Sequence, residues 1–135
     1  MEANRLVEPH LSQRDRLSIK VDRRSAYAVA VLAGTIDFAT HERLAGELAR
    51  AMTPGTAAVI VDLSAVPFCD SSGLNVFARA YRAAQARGMT LVLTGLRDRV
   101  ARVFSITGLD RRICVRPDPD SALHWLETGR HDAAG

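Results

Sequence analysis

Three short runs rich in apolar and β-favouring residues, Tyr27–Leu32, Ala58–Leu63 and Thr90–Leu93, recur along the chain. The stretches between them carry helical periodicity and close on Gly or Pro. This alternation leaves few architectures open, because strands that alternate with helices pair in parallel through right-handed crossovers. Upstream, Leu17, Ile19 and Val21 alternate with polar residues, the pattern of a half-exposed strand that forms a hairpin with the first run. Downstream, Ile113–Val115 reads as a short last strand. The pattern predicts an α/β fold. It is a single domain with a four- to five-stranded mixed sheet and about four helices packed chiefly on one face.

The helices have readable ends. Thr40 stands at an N-cap position, Leu44, Leu48 and Ala51 line one face, and Pro54-Gly55 stops that helix. A second helix runs from Ser71 to Arg87 and stops at Gly88, with Leu74, Phe77, Ala78 and Tyr81 as its expected core stripe. A third directs Val100, Val103 and Phe104 inward and ends at Gly108, and a last one carries Ala122, Leu123, Trp125 and Leu126. At 135 residues this is one domain. The expected organisation is a flexible extension over 1–15, the folded domain over 16–127 and a disordered tail over 128–135.

Composition removes several function classes. The longest apolar stretch, Ala26–Ala33, falls well short of the roughly 20 residues of a bilayer span. No charged-then-apolar leader opens the chain. A cytoplasmic protein with no membrane partner is expected. The net charge of +3 permits nucleic-acid binding, but aromatics make up only 5% of the chain and none interleave with basic runs, so no nucleic-acid partner is expected. Cys69 and Cys114 lie far apart and read as small buried hydrophobes. The histidines show no metal-ligand spacing. No phosphate loop, dinucleotide fingerprint or nucleophile elbow is present. The expectation is therefore no enzyme, no catalytic residue, no metal and no cofactor.

What remains is Asp70-Ser71-Ser72-Gly73-Leu74, where a buried strand hands over to a helix. Asp and Ser there can be plain N-caps, whose side-chain oxygens accept from free N–H groups of the first turn. The same N–H groups and the helix dipole favour an anion, so a phosphate on a serine would be tolerated at that end. Small Ser72 and Gly73 would leave the spot open to another protein. Further along, Asn75, Arg79 and Arg82 form a polar stripe, while Val76, Ala80 and Ala83 form a small apolar one. The apolar stripe either packs under a neighbouring helix or offers a shallow docking surface.

Phe68-Cys69-Asp70-Ser71-Ser72-Gly73-Leu74, following Val59-Ile60-Val61-Asp62-Leu63, resembles the signature of the STAS domain. More narrowly it is similar to the stand-alone bacterial anti-sigma factor antagonists. Ala33-Gly34-Thr35-Ile36-Asp37 resembles that family's second-strand end, and Arg87-Gly88 through Leu93, with Val100, Phe104 and Thr107-Gly108-Leu109, resembles its last strand-helix passage. The resemblance implies a non-enzymatic regulator, a phosphoprotein of transcription control, and a monomer is expected. Unphosphorylated, such a protein binds an anti-sigma factor that is also a serine kinase, and so releases a sigma factor. The kinase phosphorylates the serine after the Asp, and a PP2C-type phosphatase restores it. Carried over by position, Ser71 is the phosphoacceptor. Asp37, Asp70, Ser72 and Gly73 surround it, and Asn75, Val76, Arg79 and Ala80 face the partner. An alternative within the same family is a stressosome-like scaffold subunit, a lipid-transport accessory protein or a nucleotide-responsive module.

Overall fold

The computed structural model describes residues 16–129. It holds strands β1 (Leu17–Arg24), β2 (Tyr27–Ile36), β3 (Ala58–Cys69), β4 (Thr90–Thr94) and β5 (Cys114–Arg116). The helices are α1 (His41–Ala51), α2 (Ser71–Ala86), α3 (Asp98–Thr107) and α4 (Pro119–His124). The sheet order is β1-β2-β3-β4-β5, with β1 antiparallel to β2 and every later pair parallel. The mixed five-stranded sheet is the expected one. The extension over 1–15 and residues 130–135 lie outside the described residues. The last helical turn runs through Gly129, and the Thr128 hydroxyl donates to the His124 carbonyl at 2.7 Å.

Alternation along the central strands sorts side chains into two cores. Ala28, Ala30, Leu32, Val59, Val61, Leu63, Leu91 and Leu93 point to the face covered by α1, α2 and α3. Val29, Ile60 and Val92 point the other way, where α4 and its following turn supply Ala122 and Leu126. Three helices therefore lie on one face and one on the other. The larger core closes on Phe77 of α2 and Phe104 of α3, both fully buried, with ring centroids 5.9 Å apart.

Several boundaries differ from the sequence reading; β2 continues past Leu32 to Ile36, and β5 is shifted by one residue to Cys114–Arg116. β1 continues to Arg24, where the Arg24–Tyr27 pair leaves Ser25 in a left-handed turn at φ 60°. β3 continues past Leu63 to Cys69, although it contains Pro67. Beyond Asp62 its β4 pairing has ended and only β2 flanks it, so the missing proline N–H is tolerated as on an edge strand.

The core stripe of α2 is also rotated from expectation. Its buried residues are Gly73, Val76, Phe77, Ala80 and Ala84, whereas Leu74, Ala78 and Tyr81 are only half-buried. The helix is covered on two sides, by the sheet beneath and by α1 alongside, so its buried arc turns toward α1. Val76 and Ala80 are thus nearly buried, while Ala83 stays exposed.

Phe77→Ala should lower unfolding stability by about 3–5 kcal/mol, the usual cost of emptying an aromatic core site. Val31→Ala, at a position 41% exposed, should change it by less than about 1 kcal/mol in the same urea titration.

Candidate functional site

The site is built by the far ends of β2 and β3. Their parallel register pairs Thr35 with Phe68 and Ile36 with Cys69, so the next residues, Asp37 and Asp70, leave the sheet side by side. The Asp70 N–H donates to the Ile36 carbonyl at 3.1 Å, which ties the start of α2 to the end of β2. The family resemblance, not residue spacing, pointed to Asp37 here, and the register brings it to the same sheet end as Asp70.

Asp70 is extended (φ −95°, ψ −171°), and its Oδ1 accepts from the Ser72 N–H at 2.8 Å and the Gly73 N–H at 3.3 Å. The Leu74 N–H then donates to the Asp70 carbonyl at 3.1 Å, closing the first turn. Asp70 is thus a true N-cap. Ser71 is the first residue of α2 and is exposed. Among the described residues nothing hydrogen-bonds its hydroxyl.

Asp37 shapes the facing loop. Its Oδ1 accepts from Ala39 N–H at 3.0 Å and Thr40 N–H at 3.2 Å, and its Oδ2 forms an ion pair with Arg16. Thr40 occupies the N-cap position of α1, but its buried hydroxyl donates to the Thr35 carbonyl at 2.9 Å and accepts from the Asp37 N–H at 3.0 Å, so no side chain caps the first turn of that helix. Asp37 instead holds the turn that leads into it, through the N–H groups of Ala39 and Thr40.

Gly73 needs a different explanation from openness. A Cβ there would stand 2.5 Å from both Cys69 Sγ and Ile36 Cγ2. The residue is buried, and it is small because α2 presses against the β2–β3 strand ends. Ser72, half-buried, remains at the surface side of the turn. Cys69, 4% exposed, has its thiol pushed up to about 12 by burial and then by the neighbouring Asp70 charge.

Two grooves flank the start of α2. One, of about 450 Å³, runs between α1 and α2, and Asn75, Val76, Arg79 and Ala80 all line it, together with Phe38 and Ser72. Val76 and Ala80 form a nearly buried floor, at 5% and 8% exposure, and Asn75 and Arg79 form an exposed rim. Phe38, 77% exposed, was not singled out from the sequence, where a lone loop aromatic after Asp37 belongs to no stripe. The second groove, of about 510 Å³, lies on the other flank between Ser71, Leu74 and Ala78 of α2, Thr107 at the end of α3 and Leu109 just beyond it.

Residues 18–122 match the family model of the STAS domain. The chain belongs to the STAS domain family. The anti-sigma-B factor antagonist of Listeria monocytogenes is 35% identical over 101 residues, a span of 74% of this chain and 89% of that protein. The crystal structure of an anti-sigma factor antagonist from Mycobacterium paratuberculosis matches with 30% identity and a TM-score of 0.69, covering 84% of this chain and 97% of that one. The antagonist SpoIIAA, in its unphosphorylated form, shares the fold at 20% identity and a TM-score of 0.70, covering 82% and 96%. By homology this STAS chain sits among the anti-sigma factor antagonists, which are regulatory proteins. Among the described residues no helix is long and apolar enough to cross a membrane, and no group of three or more His, Cys, Asp or Glu is placed to hold a metal ion.

Two outcomes follow from this packing. Gly73→Ala should destabilise the STAS domain by about 1–3 kcal/mol in urea, because overpacking outweighs the better helix propensity of Ala. The Cys69 thiol should resist alkylation at pH 8 in the native protein while reacting readily in urea. The unfolded chain releases that proton near the ordinary value of 9.0, whereas the folded one holds it to about 12. The folded state therefore binds more protons in between, and the contribution is full below pH 9 and lost as pH rises above it. Cys69→Ala should flatten the fall in melting temperature as pH rises through the thiol's ordinary value of 9.0.

Proposed function

We propose that this chain is a phosphorylation-switched anti-sigma factor antagonist. Unphosphorylated, it binds an anti-sigma factor that is also a serine kinase, and the bound anti-sigma factor releases its sigma factor. Phosphorylation of Ser71 ends that binding, and a PP2C-type phosphatase restores it. The observation that carries the reading is an exposed serine hydroxyl, free of hydrogen bonds within the described residues, on the first turn of α2 beside Asp70. The names of the relatives supply the partner class.

The chemistry is consistent with such a switch. A phosphate on Ser71 brings roughly −1.5 to −2 charges to a helix N-terminus that favours anions, so the fold itself accommodates it. The partner does not. A kinase active site holds an acidic base and nucleotide phosphates. Like charges brought together at an interface cost several kcal/mol, with about 1.4 kcal/mol per factor of ten in affinity. No backbone rearrangement is required. SpoIIAA, also solved in a phosphorylated form, keeps this fold there at a TM-score of 0.64 to the present chain. The protein acts as a monomer in this scheme, because edge strand β1 exposes Lys20, Asp22 and Arg24, charges that oppose edge-to-edge pairing.

The test uses each anti-sigma factor kinase encoded in the source genome, purified singly, with ATP. One of them should add a single phosphate to the wild type and none to Ser71→Ala. Ser71→Glu should weaken binding of that kinase by about a hundredfold or more, the size expected of like-charge contact. Phosphorylation elsewhere, or equal binding by Ser71→Glu, would refute the proposal.

A further inference from the structure

The α3-side groove residues Thr107 and Leu109 lie within a predominantly basic stretch of the chain. Arg99, Arg102 and Ile106 stand at i, i+3 and i+7 on α3, away from buried Val100 and Phe104. All three are exposed, Ile106 at 76%. Arg111 joins them at the helix end, its guanidinium turned back so that Nη2 lies 3.2 Å from where a Cβ on Gly108 would stand. Arg97 and Arg112 extend the same stretch, against which only Asp98 and Asp110 are acidic.

None of these arginines makes a side-chain hydrogen bond or ion pair among the described residues. Packing therefore does not explain them. Like charges one helical turn apart weaken a helix slightly, so the fold gains nothing from the array. Arginine around an exposed apolar side chain is instead the composition of a protein-binding surface. Ile106 directly precedes Thr107 and Arg111 follows Leu109 by two residues, and Thr107 and Leu109 wall the groove that Ser71 lines on its other side.

We propose that the Arg99–Arg102–Ile106 face of α3, with Arg111, docks an acidic patch on the protein that binds at Ser71. Carboxylates of the partner pair with the three arginines around an apolar side chain that covers Ile106. This inference rests on the reading that a partner protein docks at Ser71, and it names the charge that partner must carry. Protein is favoured over nucleic acid because the array centres on an aliphatic residue and no aromatic side chain stands among its residues to stack on a base. The face also serves the switch, since a phosphate on Ser71 would place negative charge at the border of the surface that attracts the acidic partner.

The experiment measures association of the unphosphorylated protein with the purified kinase that phosphorylates it, from 50 to 500 mM NaCl. The variants are Arg99→Glu/Arg102→Glu/Arg111→Glu, the milder Arg99→Gln/Arg102→Gln, and Lys20→Glu on β1 as a distant charge control. Loss of steering should slow association of the triple variant by about tenfold or more at low salt and flatten its salt dependence. The glutamine pair should show a smaller effect in the same direction, Lys20→Glu should match the wild type, and melting temperatures should confirm that all fold. Wild-type rates and salt dependence in the folded arginine variants, with Ser71→Glu still defective, would overturn this inference alone. If the wild type and Ser71→Glu both fail to bind every kinase, the underlying reading falls and takes this one with it. Salt-sensitive binding of a duplex DNA probe that the triple variant loses, with kinase binding unchanged, would reassign the surface to nucleic acid and overturn it too.

Discussion

The pairing of Ile36 with Cys69 at the far ends of two parallel strands is the constraint on which the site depends. It sets Asp37 and Asp70 side by side, and the hydrogen bond from the Asp70 N–H to the Ile36 carbonyl fixes where α2 begins. Register shifts lie just before this pair, between Val31 and Ala33 and again between Ala33 and Thr35. Each shift re-aims the strand ends after the regular ladder. Without that adjustment the loop carrying Asp37 and the turn carrying Ser71 would meet in another alignment. The antagonist surface is thus a product of strand geometry rather than of the helix alone.

Close contact beneath the turn completes the arrangement. Ile36, Cys69 and Gly73 meet where no Cβ on α2 has room. Asp70 then holds the first-turn N–H groups from above. One side of the turn is locked by packing and the other by a carboxylate, and the exposed Ser71 lies between these fixed points. A rigid mounting of this kind suits a residue whose charge is to be read by another molecule, since little ordering is left to be done on binding.

Much of this was legible in the sequence, and the exceptions have physical causes. Alternating runs gave the strands, and Leu44, Leu48 and Ala51 gave the inner face of α1, because burial on one side leaves a clear period. Asp70 and Ser71 could be placed because a strand-to-helix junction needs a cap. The buried face of α2 was read one strip away, since periodicity reports burial but not which neighbour supplies it. Val76 and Ala80 lie under α1, a contact between distant segments. Phe38 carried no signal, being an exposed aromatic in a loop. β3 read short because Pro67 argues against a strand wherever both flanks are paired, and here only one is. Gly73 was read as open for the same reason that Thr40 was read as a cap: local residue preferences do not say what stands across the gap.

The sheet also acts as a partition. Val29, Ile60, Val92, Ala122 and Leu126 form a separate apolar layer behind it, with Trp125 under the Arg116 guanidinium at 4.5 Å. None of these residues lines either groove beside α2. Sequence drift in the rear layer can therefore retune thermal tolerance while the two grooves beside α2 keep their shape.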